Sequence, residues 1–325
     1  MQFHFRRATK IMSQTLPFVL LRVGIGILFG LFAVVYFGAI AGVVWYLGVS
    51  ISNLILIGVF LISLIGFVLI INFLRKYVLY LVSAGHIATI AHIIETGDVP
   101  DDQLTFGKNK VTDKFGEASA LFVVDKVIKS VLKQFNSAVI SLTDFAGFVP
   151  ALQNIIKILR KAITLAGRNL DEAILAHIFL QEDKDKWAAA RDGLVLYAKT
   201  WKPVLATTVL IVVAAYIVAA FGVLAVSPLA VVFESFSPIG ETAGWAVVIG
   251  IVAVFYFGFV SPWVKTVIIT TFLIESRDET PDSETMDYLE SKASDFREVV
   301  ENAGQGTPAG DERPTGTGDS TATGD

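Results

Sequence analysis

The chain has 325 residues, of which 54% are hydrophobic and 17% are charged, and its mean hydropathy is +0.64. This composition is too apolar for an ordinary soluble domain, so we expect lipid to solvate part of the protein. The absence of cysteine excludes disulfides, thiolate metal sites and cysteine nucleophiles. The net charge is −4, yet residues 275–325 hold 14 acidic and 4 basic residues, and this acidic tail argues against nucleic acid as a partner.

Basic residues are divided unevenly along the chain. Residues 23–74 and 203–264 contain no Lys or Arg, whereas residues 75–202 carry 17 of the 26 basic residues. A charge at the bilayer centre costs several kcal/mol, and basic loops remain on the cytoplasmic side during insertion. The pattern therefore predicts a polytopic membrane protein whose middle segment lies in the cytoplasm.

The predicted architecture is all-α, with four transmembrane helices in two hairpins. Residues 1–22 carry Arg6, Arg7 and Lys10 and form a cytoplasmic N-terminus that precedes a retained signal-anchor. The hairpins occupy residues 23–74 and 203–274, and their apolar runs are long enough to cross a bilayer. An even number of spans returns the C-terminus to the cytoplasm, so we expect a multi-pass protein of the plasma membrane with both termini inside.

The middle segment, residues 75–202, is predicted to contain cytoplasmic or interfacial amphipathic helices. Turn-forming residues, among them Gly107, predict a loop from 97 to 110. In the following helix, apolar spacing places Asp125 and Lys129 on the polar face. Residues 152–168 form a basic amphipathic helix, which either lies on an anionic membrane surface or packs beneath the transmembrane bundle.

The end of the chain divides into two predicted parts. Residues 275–303 are acidic and are expected to contain one helix near 286–300. Residues 304–325 consist mainly of Gly, Thr, Pro, Asp and Glu, which cannot bury enough apolar area to fold, so this tail is predicted to be disordered.

Enzymatic chemistry is not supported by any complete motif. The four histidines are scattered and lack the spacing that places two metal ligands on one helical face. We therefore expect no enzyme activity, no catalytic residue, no cofactor and no metal site. The central parts of the spans contain no ionisable residue, and Arg22 and Lys265 toward the inner side are the nearest candidates, which disfavours a charge-coupled pump.

Aromatic residues on the spans suggest one binding chemistry. Ring faces attract a desolvated quaternary ammonium, so these residues form a candidate cage for an organic cation. Packing against lipid is the alternative explanation for the same side chains. The possible solute-lining residues are Tyr36, Phe37, Tyr216, Phe255, Tyr256 and Phe259.

A family likeness lies in the stretch from Arg160 to Lys202, which contains Arg168-Asn169 and then Ala190-Arg191-Asp192 with Trp201. Together with Thr271-Phe272-Leu273-Ile274-Glu275, this stretch resembles the C-terminal half of choline transporter-like proteins, and it also resembles uncharacterised prokaryotic polytopic membrane proteins. The N-terminal half of that family has no counterpart here. The resemblance implies a cytoplasmic network that holds short helices beneath the spans or takes part in transport. Its members would be Arg168, Asn169, Asp171, Glu172, Arg191 and Asp192.

Two function classes follow from these observations. The first is a small-solute transporter or channel-like protein, for which an organic cation is a candidate solute. It is expected to be homo-oligomeric because four spans enclose little volume, and glycine pairs such as Gly26 with Gly30 provide close-packing faces. The second is a non-transporting membrane scaffold whose amphipathic helices bind lipids or partners. Membrane lipids are expected partners in both.

Overall fold

The computed structural model describes residues 4–46, 53–139, 169–234 and 240–305. Within these ranges the chain is helical and contains no strand, which confirms the all-α prediction. The predicted amphipathic helix at 152–168 and nearly all of the predicted disordered tail lie outside the described residues.

The described helices are numbered in chain order. They are α1 (Phe5–Gln14), α2 (Leu16–Tyr46), α3 (Asn53–Leu74), α4 (Tyr80–Thr96), α5 (Gln103–Phe115), α6 (Ala118–Val139), α7 (Asp171–Leu180), α8 (Lys186–Val226), α9 (Pro228–Glu234), α10 (Gly240–Phe255), α11 (Ser261–Glu275), α12 (Ser283–Lys292) and α13 (Phe296–Gln305). Two π-helical turns, Arg75–Leu79 and Tyr256–Val260, join α3 to α4 and α10 to α11.

Four helical stretches of the described chain are long and apolar enough to cross a membrane. They are Leu16–Tyr46, Ile57–Thr96, Lys186–Val232 and Val247–Glu275. The expected number of candidate spans is thus confirmed by length and composition. These helices also run well beyond the predicted spans at one end, because the second continues to Thr96 and the third begins at Lys186.

The long helices extend into a compact helical bundle formed by α1, α4 to α8 and α11 to α13. Its core includes side chains from most of these helices, and the largest fully buried ones are apolar or aromatic. Among them are Tyr197, Phe135, Phe272, Phe296, Leu121 and Ile174. The Tyr197 hydroxyl donates a hydrogen bond of 2.7 Å to Asn136 Oδ1, so the polar end of this core ring is satisfied.

Burial ends abruptly along the same helices. On α8 the buried side chains extend as far as Ala215, whereas Leu224 is 67% exposed. On the returning helix Phe257 is 66% exposed, while Val260 and the residues after it on α11 are largely buried. Water would not tolerate so much contiguous apolar surface on a monomer, and a bilayer would cover it. Three of the four long helical stretches therefore have a bundle half and an apolar outer half, whereas α2 is buried only at Phe18 and Val19 near its start.

The first helix connects the start of the described chain to the bundle. Arg7 Nη2 donates to the carbonyl of Ile94 on α4 at 2.9 Å, and Trp263 Nε1 on α11 donates to Thr9 Oγ1 at 2.9 Å. Because α12 and α13 also pack on α6 and α8, both ends of the described chain lie on the same side of the apolar outer halves.

The loop predicted at 97–110 is only partly correct. A left-handed glycine, Gly97 with φ of 82°, does end α4, but α5 already begins at Gln103, where Asp102 accepts a hydrogen bond of 3.1 Å from the Thr105 backbone N–H. Gly107 then lies inside α5 at its crossing with α4, where a Cβ would be 2.6 Å from the carbonyl oxygen of Gly85. Gly107 allows two helices to approach closely and does not form a turn.

The fourth candidate span changes its hydrogen-bonding pattern directly before a proline. The π-helical turn Tyr256–Val260 ends directly before Ser261 and Pro262, and Pro262 is in the first turn of α11. Proline lacks a backbone donor, so a local change of helical pattern is the expected response there.

The C-terminal region contains two helices where one was predicted. Between α12 and α13, Ala293 has an extended backbone, and the Asp295 backbone N–H donates to Gln134 Oε1 of α6 at 3.1 Å. Ser130 of α6 also donates to the Asp295 carboxylate. Contacts with α6 thus separate α12 from α13, and such contacts cannot be predicted from the local sequence.

Candidate functional site

A group of charged side chains is buried where the bundle meets the apolar halves of the helices. We call it the ionic cluster, and it contains Arg22 of α2, Tyr80 of α4, Asp125 and Lys129 of α6, Asp171 and Glu172 of α7, and Lys265 of α11. Five helices contribute to it, among them parts of three of the four candidate spans.

Lys129 is shared by two carboxylates. Its Nζ atom lies 2.5 Å from Asp125 Oδ2 and 3.3 Å from Asp171 Oδ2. Asp125 and Asp171 are 5% and 3% exposed, whereas the Lys129 side chain is 47% exposed and reaches out of the cluster. The same ammonium lies 5.6 Å from the centre of the Tyr80 ring, within the range of a cation–π interaction.

The neighbouring carboxylate of Glu172 has a cation of its own. Lys265 Nζ forms an ion pair with Glu172 Oε1. Arg22 interacts electrostatically with Glu172, and its Nη2 donates a hydrogen bond of 3.1 Å to Ser83 Oγ on α4. The two basic residues at the inner ends of the spans, Arg22 and Lys265, thus both face this carboxylate.

Several polar atoms of the ionic cluster are buried without a hydrogen-bond partner among the described residues. They are Asp125 Oδ1, Asp171 Oδ1, Glu172 Oε2 and Arg22 Nε, and the Tyr80 hydroxyl lies close enough to interact with the Asp125 carboxylate. Burying a carboxylate oxygen without a partner is costly, so such atoms usually interact with a proton, water or a ligand. Their convergence makes the ionic cluster the candidate functional site.

Burial also changes the acidity of this site. Removal from water raises the pKa of the Asp171 carboxyl well above its ordinary value, because the low-dielectric interior disfavours the charged form. Lys129 opposes this rise in pKa, whereas the nearby Glu172 and Asp125 carboxylates add to it.

A metal centre does not explain the cluster. In the part of the chain that the structure describes, no group of three or more His, Asp or Glu side chains is arranged to hold a metal ion. The Lys129 ammonium already stands between two of the carboxylates, which is where a metal ion would have to bind.

A second polar site lies at the other end of α7. Asp192 Oδ2 accepts from Lys184 at 2.8 Å, and Asp192 Oδ1 accepts from Arg191 at 2.8 Å. Lys184 and Asp192 border a cavity of about 280 Å³ that His177 also lines. His177 Nε2 is buried without a partner among the described residues, and burial lowers the pKa of His177 to about 4, so the ring is neutral.

The structure divides the network implied by the family resemblance into two groups. Asp171 and Glu172 belong to the ionic cluster, whereas Arg191 and Asp192 pair with each other at the second site. Asn169 lies in the turn before α7, and Arg168 is outside the described residues.

The aromatic candidates also fall into two groups. Between α2 and α3, Phe67 lies close to Tyr36 and Phe37, at ring-centroid distances of 5.6 and 5.0 Å, and the Tyr36 hydroxyl donates to the Ser63 carbonyl at 3.1 Å. On α8 and the fourth candidate span the rings form two stacked pairs, Tyr216 with Tyr256 at 6.3 Å and Phe255 with Phe259 at 5.9 Å. These ring contacts stay within each of the two groups.

Sequence reasoning missed part of the ionic cluster. Asp125 was predicted on the polar face of its helix and is in fact buried, because α7 covers that side of α6. Tyr80 was not predicted to belong to any site. Arg22 and Lys265 could have indicated the site from the sequence. They lie near the ends of otherwise uncharged candidate spans, where cations require buried partners.

Comparisons of the whole chain with protein-family models, with curated proteins and with solved structures give no match.

Proposed function

We propose that the protein moves a small solute across the plasma membrane, as a transporter or a channel-like protein, with the helical bundle and both termini in the cytoplasm. The orientation is supported by the basic residues, because 17 of the 26 lie in residues 75–202, most of which belong to the bundle or its connections. The apolar outer halves of the long helices would occupy the bilayer.

The ionic cluster is the observation that carries this proposal. Buried charges next to a membrane are expensive, and they commonly mark pathways for ions or solutes. Here three carboxylates and three cations meet at the inner ends of the spans, and each carboxylate has an oxygen without a partner among the described residues. A purely structural network would be expected to satisfy these oxygens.

An organic cation is the first solute to test. The aromatic groups on the two hairpins offer ring faces at the level of the apolar outer halves, and Tyr216 is 49% exposed along α8. The likeness to choline transporter-like proteins makes choline the natural probe.

A homo-oligomer is part of the proposal. Within one chain, a Cβ added at Gly26, Gly30, Gly38 or Gly42 would meet nothing within 4 Å. These glycines provide open small-residue faces on α2, where a second copy can pack closely in lipid.

A non-transporting scaffold is the second candidate. It is favoured by the exposure of the outer halves, since none of the most apolar window in the second candidate span is buried inside the chain. Helices that contact one another so little would suit a protein that anchors a cytoplasmic bundle or recruits membrane partners.

Flux through reconstituted vesicles separates these two functions. Full-length protein is inserted into liposomes, and uptake of labelled choline and leak of small ions are measured against empty liposomes. We expect saturable choline uptake that is largely lost in Asp171→Asn, because the substitution removes an ionisable group from the ionic cluster while keeping the shape of the side chain.

The matched control is Glu301→Gln, which changes an exposed carboxylate on α13. Its uptake should equal that of the parent protein. If neither choline nor ions move in any sample that contains correctly folded protein, the transport proposal fails and the scaffold function stands.

A further inference from the structure

The imbalance of charge in the ionic cluster is local: two carboxylates face the one ammonium of Lys129, whereas two cations, Arg22 and Lys265, face Glu172. Glu172 has Lys265, but Asp125 and Asp171 share the single ammonium of Lys129. The contact with Asp125, at 2.5 Å, is much closer than the contact with Asp171, at 3.3 Å. Asp171 is therefore the carboxylate with the weaker ion pair, although it is only 3% exposed.

Every charged or titratable group around Asp171 can be assigned to a helix. Lys129 and Asp125 face it from α6, Glu172 adjoins it on α7, and Lys265 acts on it from α11. Further out are Tyr80 on α4, which interacts with Asp125 and more weakly with Asp171, and Arg22 on α2, which interacts with Glu172. His86 on α4 faces Arg22 and Lys265 and binds Thr15 Oγ1 at 2.9 Å.

A proton fits the excess charge better than a second cation does. The Lys129 ammonium occupies the space between the two carboxylates and would repel another cation there. The outer oxygens, Asp125 Oδ1 and Asp171 Oδ1, remain buried and without partners among the described residues. A proton on one of them removes the excess charge without displacing Lys129.

We propose that Asp125 and Asp171 form a single proton-binding site, in which one proton from water converts the Asp171 carboxylate into a carboxylic acid while Asp125 keeps Lys129. The burial that raises the pKa of Asp171 favours this state near neutral pH. Loss of the proton restores the charge on Asp171 and strengthens its attraction to Lys129, which pulls α7 toward α6.

The proton site can exist whether or not the protein transports a solute. Only the role of the proton in solute movement rests on the proposed function. Protonation would loosen the contact between α6 and α7 next to Glu172 and Lys265, and Lys265 belongs to the fourth candidate span. Binding of the proton itself can be measured without any transported solute, so a failure of the proton site is distinguishable from a failure of transport.

Infrared difference spectroscopy of the reconstituted full chain tests the proton site. A protonated carboxyl group has a C=O stretch that a carboxylate lacks, so the parent protein should show this band at about pH 7, far above the ordinary pKa of aspartate. Raising the pH should remove the band. Either Asp171→Asn or Asp125→Asn should abolish it, because the remaining carboxylate then has Lys129 to itself and stays ionised.

Asp287→Asn is the matched control, since it makes the same chemical change at an exposed aspartate of α12 outside the ionic cluster and should leave the band in place. The proposal is overturned if the parent protein has no such band at about pH 7, if the band survives in either aspartate variant, or if it is lost in Asp287→Asn. It is also overturned if sodium or potassium at constant pH and ionic strength removes the band, because the site would then bind a metal cation.

Discussion

Replacing Lys129 with Met is expected to cause the largest loss of stability of any single substitution in the ionic cluster. Met keeps much of the side-chain volume but leaves Asp125 and Asp171 buried without their shared cation. Breaking a buried ion pair by removing one partner costs about 3–5 kcal/mol, and we expect about 3 kcal/mol because the Lys129 side chain is 47% exposed. Thermal unfolding in detergent, followed by tryptophan fluorescence, measures the change.

The loss should depend on pH in a definite direction. Without Lys129 the pKa of the buried Asp171 carboxyl rises further above its value in the unfolded chain, so the folded state loses stability as the pH increases through that range. The deficit of Lys129→Met relative to the parent protein should therefore be larger in alkaline than in mildly acidic solution.

Two variants control this experiment. Lys133→Met removes an exposed lysine one turn further along α6 and should leave the unfolding temperature nearly unchanged. Adding Asp125→Asn and Asp171→Asn to Lys129→Met should restore most of the lost stability, because no unpaired charge then remains. If Lys129→Met and Lys133→Met unfold at the same temperature, the cluster does not depend on Lys129 in the way described.

Gly107→Ala is expected to disrupt the packing of α5 against α4. The added Cβ would lie 2.6 Å from the Gly85 carbonyl oxygen and 2.8 Å from Phe18 Cζ, and a backbone atom cannot move aside as a flexible side chain can. Overpacking of this kind costs about 1–3 kcal/mol or more, and we expect the upper part of that range. The unfolding midpoint of the purified protein in detergent reports the loss.

Gly304→Ala provides the matched control, because Gly304 is an exposed glycine of α13 and an added Cβ there would meet nothing within 4 Å. Ala is a better helix former than Gly by up to about 1 kcal/mol, so this variant should be as stable as the parent protein or slightly more stable. A Gly107→Ala protein that unfolds at the same temperature as Gly304→Ala would show that α4 and α5 do not cross closely.

The candidate spans were predictable because their physical cause is local. A bilayer requires long uninterrupted apolar runs, and these can be identified in the sequence without knowledge of any tertiary contact. Helix boundaries in the bundle were less predictable for the opposite reason. Gly107 looks like a turn residue by its intrinsic preference, and only the approach of Gly85 from α4 explains its position inside a helix.

The ionic cluster shows the same difference between local and distant causes. Arg22 and Lys265 were recognisable as charges next to apolar spans, yet nothing nearby in the sequence identifies Glu172 as their common neighbour. Asp125 has the spacing of a surface residue relative to Lys129, but α7 covers it in the fold. The sequence can identify a single charged residue in an unusual position. It cannot identify the residue that contacts it, because that depends on how the five helices pack.

Cysteine accessibility in intact cells tests the central claim, which is that the long helices cross the membrane and hold the bundle in the cytoplasm. The chain has no native cysteine, so single substitutions can be labelled without background. Ser137→Cys lies on an exposed part of the bundle, and Ser227→Cys lies between α8 and α9 at the far end of the third span. We predict that a membrane-impermeant maleimide labels Ser227→Cys in intact cells and labels Ser137→Cys only after the cells are opened. Labelling of Ser137→Cys in intact cells, or equal labelling of both sites, would contradict the account.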